Sequence, residues 1–247
     1  MMRTVVFKQE DMYTGPLALV NSQNPVRSER RLRLVPLDED GDIFLEQNTA
    51  SLLRKLFEAA GCAGRIVPVS GYRSCNEQRL IYINSLRDSG AVLTKKYIAM
   101  PECSEHQTGL AVDLAENSGP IDPICPSFPE DGICGSFRRR AAGYGFIERY
   151  GEDKEILTGI AHEPWHFRYV GYPHSMYMQE NNLCLEEYID VLRSYPYDGR
   201  HLVYGGTEVF FAGAALTGAG ISLPEECTQV SGNNVDGFIA TVWRRKP

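Results

Sequence analysis

Two short stretches alternate residue by residue and leave little freedom in what the chain can build around them. Residues 109–116 (GLAVDLAE) set Leu110, Val112 and Leu114 on one side and Ala111, Asp113 and Ala115 on the other. Residues 163–171 (EPWHFRYVG) set Trp165, Phe167 and Tyr169 against His166, Arg168 and Val170. A period of two belongs to a strand, so each segment predicts a β-strand that presents a polar side chain among small or apolar neighbours. If the strands are neighbours, Asp113 meets His166, and His106, in the loop entering the first strand, completes the group. Two imidazoles and one carboxylate suit a tetrahedral Zn²⁺ whose fourth position is left for water. Such a metal lowers the pKa of bound water to about 7. Glu163, three residues before His166, is placed to take that water's proton. Singly, each residue has a plainer reading as a hydrogen-bonded core histidine or a turn-capping aspartate; together, with Gly109 and Trp165 beside them, they favour the metal.

A competing pattern overlaps this one. Residues 162–166 spell H-E-x-x-H, a zinc signature that needs both histidines on one face of a helix. Pro164 lacks an N–H and disfavours helical geometry at Glu163, and the alternation that follows is a strand's. His162 is therefore a neighbour of the site and not a ligand.

Composition bounds the rest. A chain of 247 residues, 43 % hydrophobic and 23 % charged, is globular and long enough for one large domain with a small appendage. Its formal charge of −7 argues against a nucleic-acid partner. The longest apolar run, residues 209–216, falls short of the roughly 20 residues a bilayer core demands. The N-terminus reaches charge before any signal-peptide core could form. The seven cysteines are odd in number and lack C-x-x-C spacing, which predicts reduced thiols in a cytoplasmic protein. Cys125 and Cys134 bracket a Pro/Gly-rich loop and could pair if oxidised, but the reading is of reduced thiols.

Along the chain, residues 15–25 between two breaker dipeptides predict a leading strand and loop. Residues 49–60 predict a core-facing helix through Leu52, Leu53, Leu56, Phe57 and Ala60, capped by Asn48 or Thr49 and ended by Gly61. A β-rich stretch at 65–74, a helix at 76–88 and a helix at 173–194 follow. After Pro196 come β-prone runs at 202–204, 208–212 and 237–243, with a turn at 231–234. The expected fold is α+β: a central antiparallel sheet carrying the zinc site, flanking helices, and a small C-terminal β-rich appendage. The expected domains are residues 1–195, catalytic, and 196–247.

S-x-H-x-x-G-x-A-x-D at 104–113, E-P-W-H at 163–166 and SGYRS at 70–74 together resemble the VanX/VanY/VanXY D-alanyl-D-alanine metallopeptidases. Their zinc fold is shared with lysostaphin-like enzymes and the hedgehog domain. The likeness runs from about Leu17 to Leu192 and is greatest to the VanY and VanXY types, the longer G-type VanXY variant among them. It implies one zinc ion on His106, Asp113 and His166, with Glu163 as general base. It also implies Arg73 as the group that polarises the scissile carbonyl, and Ser104 and Gln78 as contacts for the substrate's C-terminal end. A guanidinium near developing negative charge suits that role. The resemblance further implies hydrolysis of D-Ala-D-Ala and of UDP-muramyl-pentapeptide precursors, hence vancomycin-type resistance. The alternatives are a carboxypeptidase with no dipeptidase activity and a non-catalytic zinc-binding module.

Overall fold

A computed structural model describes residues 2–27, 32–37, 41–224 and 228–243. In order, the first elements are β1 (Met2–Val6), β2 (Leu34–Pro36), β3 (Phe44–Glu46), α1 (Gln47–Ala60), β4 (Ile66–Ser70) and α2 (Cys75–Tyr97). Next come β5 (Ala111–Glu116), α3 (Gly132–Ala141), β6 (Phe146–Glu148), α4 (Glu155–Thr158), β7 (His166–Tyr169), α5 (His174–Glu180) and α6 (Leu185–Arg193). The last are β8 (Leu202–Tyr204), β9 (Thr207–Gly213), β10 (Gly220–Pro224), β11 (Thr228–Gly232) and β12 (Gly237–Trp243). They fall into two compact units, one from Met1–Leu19, Arg27–Arg30 and Glu180–Pro247, the other from Val20–Val26 and Arg31–Gln179.

The middle unit is α+β. Its antiparallel sheet has the order β4-β5-β7-β6, so both alternating segments lie at its centre. Val112, Leu114 and Phe167 turn to a core shared with Leu53 and Leu56 of α1 and Phe137 of α3. Phe128, Phe137 and Phe167 meet edge-on, with centroids 5.0–5.8 Å apart. Fully buried leucines such as Leu53 and Leu56 each contribute about 1.5–3 kcal/mol. Pro68 is tolerated in β4 because this is an edge strand. The β4–β5 register slips between Pro68 and Ser70, a bulge that turns both Val69 and Ser70 towards one cavity.

Helix α1 begins earlier than its apolar stripe. Its cap is Glu46, whose carboxylate accepts from the N–H groups of Asn48 (2.9 Å) and Thr49 (3.1 Å), in place of the expected Asn48 or Thr49. Gly61 ends it in the left-handed conformation, as its position predicts. The helix expected at 76–88 runs on to Tyr97 but is interrupted at Gly90 (φ 79°). Residues 15–25 form no strand: Leu17 N–H bonds the Ser231 hydroxyl and Leu19 N–H bonds the Asn233 carbonyl, so turns and loops satisfy this apolar run. The helix expected at 173–194 is two, α5 and α6, because Asn182 takes a positive φ (50°) between them.

In the other unit, β1 pairs antiparallel with β10, from Met2 opposite Pro224 to Val6 opposite Gly220. A second sheet has the order β11-β12-β9-β8. Phe7 stacks on Phe238 with centroids 4.3 Å apart, in a core with Met12, Phe210, Ile221 and Leu223. The turn joining β11 to β12 lies two residues later than its Ser-Gly-Asn-Asn signal suggests. Asn233 Oδ1 accepts from the N–H groups of Val235, Asp236 and Gly237, and the ladder survives through Gly232. The 195/196 boundary read from sequence falls inside this unit, which also holds the N-terminal strand. Cys125 and Cys134 are both free thiols; Cys227 lies outside the described residues.

The cap at Glu46 is testable alone. Glu46→Ala removes two backbone partners from a helix that buries Leu53 and Leu56, and costs about 1 kcal/mol, read as a lowered denaturation midpoint with an unchanged slope.

Candidate active site

The β5–β7 register sets Asp113 directly opposite His166, and Asp113 Oδ1 lies 3.0 Å from His166 Nδ1. His106 sits in the short 3-10 turn Glu105–Thr108 that leads into β5. Gly109 ends that turn at φ 69°, and a Cβ there would meet Glu46 N at 3.1 Å, so both conformation and space call for glycine. His106 Nδ1 lies 2.6 Å from the Gly71 carbonyl, which can only accept; the ring therefore donates from Nδ1 and turns Nε2 inward, 3.2 Å from Asp113 Oδ2. A side chain at Gly71 would put its Cβ 2.4 Å from the Phe44 carbonyl oxygen.

The donor atoms of His106, Asp113 and His166 lie within 4.8 Å of one another, and all three residues are buried. Ligands on a tetrahedral zinc ion at 2.0–2.1 Å stand about 3.3 Å apart. Asp113 turns a different oxygen to each histidine, Oδ2 3.2 Å from His106 Nε2 and Oδ1 3.0 Å from His166 Nδ1, so the three side chains converge on one position. Donor set and spacing both fit a single Zn²⁺, the cofactor of this site.

Burial would raise the Asp113 carboxyl, but the two histidines hold it well below the usual carboxylate range. Burial and the Arg73 guanidinium push His106 down to about 4. His166 also loses solvation, yet hydrogen bonds to Asp113 and Glu105 carry it up to about 9. Glu163 is buried, with Oε2 3.7 Å from His166 Nδ1. Desolvation pushes its carboxyl up to about 8 against the pull of His166 and Arg73.

Arg73 follows β4 and reaches into the site, Nη2 on Asp113 Oδ2 and Nη1 on Gln78 Oε1, both at 3.1 Å. Gln78 donates from Nε2 to the Ala99 carbonyl at 2.7 Å, so both ends of its amide are engaged. All seven residues named from sequence (Arg73, Gln78, Ser104, His106, Asp113, Glu163 and His166) line one cavity of about 430 Å³, within the usual range for a small-ligand site. His162 is outside this lining; its Nε2 lies 3.4 Å from Glu148 Oε1. Because His166 starts a strand, the two histidines share no helix face.

One residue beside the site escaped the sequence reading. Glu105 is wholly buried, 3.3 Å from His166 Nε2, and is flanked by the buried arginines 149 and 168. Arg168 had a signal, since a period of two puts it on the same strand face as His166. Glu105 and Arg149 had none, because their partners are distant in sequence.

Residues 42–172, more than half of the chain, match the family model VanY, D-alanyl-D-alanine carboxypeptidase. The chain belongs to the VanX/VanY/VanXY metallopeptidase family. Among curated members of that family, it is 41 % identical to the bifunctional D-Ala-D-Ala dipeptidase and carboxypeptidase VanXYC of Enterococcus gallinarum, over 71 % of this chain and 94 % of the relative. It is 34 % identical to a D-alanyl-D-alanine carboxypeptidase of Enterococcus faecium, over 95 % of this chain and 77 % of the relative. Among solved structures it is similar to the vancomycin-resistance D,D-dipeptidase VanXYg in complex with a D-Ala-D-Ala phosphinate analogue. That match has TM-score 0.95 and 48 % identity, and covers 99 % of this chain and 100 % of the other.

Alanine at His106, Asp113 or His166 is expected to abolish stoichiometric zinc binding, whereas His162→Ala retains it; zinc content after dialysis decides.

Proposed function

We propose that this chain is a zinc-dependent D,D-peptidase that hydrolyses D-Ala-D-Ala and removes the terminal D-Ala from UDP-muramyl-pentapeptide precursors. Its role in this reading is vancomycin-type resistance, because both reactions remove the D-Ala-D-Ala ending that glycopeptides bind. The observation that carries it is the likeness to VanXYg along 99 % of the chain, with metal ligands and a raised carboxyl gathered in one cavity. Among the described residues no helix is long and apolar enough to cross a membrane. The proposed place of action is the cytoplasm, where both molecules are built.

His106 Nε2, Asp113 and His166 Nδ1 would hold the zinc ion. When bound, zinc supplies a Lewis acid for the scissile carbonyl and a nucleophilic water at neutral pH. Glu163 supplies the proton traffic: its buried carboxylate, with Oε2 3.7 Å from His166 Nδ1, would stand beside the metal position to accept a proton from the attacking water and return it to the leaving amine. Arg73 presents fixed donors where negative charge grows on the carbonyl oxygen, in a buried setting where such a donor counts for more than in water. Gln78 holds Arg73 through Oε1. Ser104, buried in the cavity wall, is the residue we assign to the substrate's terminal carboxylate.

A second reading, carboxypeptidase activity alone, is favoured by the family model and by the E. faecium relative. D-Ala release from the free dipeptide and from the UDP-linked pentapeptide, with zinc, separates the two. The bifunctional reading expects release from both substrates, and at least a hundredfold slower release from each in Glu163→Ala, in line with general acid–base catalysis worth about 10²–10⁴. Release from pentapeptide alone leaves the carboxypeptidase; release from neither by zinc-loaded protein contradicts both.

A further inference from the structure

Glu105 spends its two carboxylate oxygens on different partners. Oε1 faces a pair of arginines, with Arg168 Nη1 at 2.9 Å and Arg149 Nε at 3.0 Å. Oε2 faces His166 Nε2 at 3.3 Å. The side chains of Glu105 and Arg168 are fully buried and that of Arg149 nearly so, with 2 % exposed. None of the three is among the ligand group formed by His106, Asp113 and His166. A buried carboxylate without partners is costly, and two arginines are more than one carboxylate needs for neutrality. The arrangement therefore fixes Glu105 from one side while leaving its second oxygen for the imidazole.

We propose that Glu105 is a positioning residue: braced by Arg149 and Arg168, it accepts the Nε2–H of His166 and so turns that ring's Nδ1 lone pair to the metal position. His106 receives the equivalent service from a backbone acceptor, the Gly71 carbonyl. His166, carried on a strand whose neighbouring backbone groups are engaged in the sheet, receives it from a side chain. Outer partners of this kind commonly change metal affinity by about 10–100-fold when removed.

The inference rests on the zinc reading, and its test separates the two. Glu105→Asp keeps the charge facing the arginines but shortens the reach to His166. The expected result is a folded protein whose zinc affinity, measured by chelator competition, falls about 10–100-fold, with an altered visible spectrum when cobalt replaces zinc. Glu105→Asp that binds zinc as wild type does, with the same cobalt spectrum, overturns the proposal. If that variant does not fold, ¹⁵N-histidine spectra of zinc-loaded wild type decide: the expected result is His166 protonated at Nε2 and hydrogen-bonded, and a ring protonated at Nδ1 overturns it. Wild type that binds no zinc sinks the metal reading instead.

Discussion

The pairing of β5 with β7 is the constraint on which the site depends. Antiparallel register sets Asp113 opposite His166 and, two residues along each strand, Ala111 opposite Arg168. A slip of one residue would carry every side chain to the other face. Were β7 to slip against β5, His166 and Arg168 would enter the core occupied by Leu53, Leu56 and Phe137, Phe167 would enter the cavity, and Asp113 would lose its histidine. Register is held because the apolar face is large and the polar face cannot be buried among leucines without partners. The packing that stabilises the sheet thus also brings the metal ligands together.

The polar face is a layered arrangement of charge. Nearest the cavity stand Asp113 and the two histidines, with Arg73 on Asp113. Behind His166 stands Glu105, and behind Glu105 two arginines. Alternation of sign outward from the metal position lets many ionisable groups share a dry environment. Glu163 is the exception: it lies 3.7 Å from His166, and burial outweighs the pull of His166 and Arg73 and drives its carboxyl up, where the arginines and His166 drive that of Glu105 down. Two buried glutamates, one near each nitrogen of the His166 ring, are thereby given different chemistry.

What the sequence made legible was whatever depends on nearby residues. The period of two in 109–116 and 163–171 revealed both central strands, and the spacing of His106, Asp113, Glu163 and His166 revealed the cluster. Pro164 correctly set aside the helical H-E-x-x-H pattern. Features made by distant partners stayed hidden. Strand β1 exists because residues more than 200 positions away pair with it. The run at 15–25 has a strand's composition but meets loop carbonyls and a serine hydroxyl instead of a ladder. The break at Asn182 divides a helix whose apolar spacing reads as continuous, and the bulge at Val69 leaves no mark in the alternation.

The central claim is that two imidazoles and a carboxylate hold one zinc ion on this sheet. X-ray absorption at the zinc edge of the zinc-loaded protein tests it most directly. The expected spectrum has a first shell of nitrogen and oxygen only, at about 2.0–2.2 Å, with the outer-shell scattering of two imidazoles. A sulfur shell at about 2.3 Å, placing the metal on cysteine instead, would contradict it.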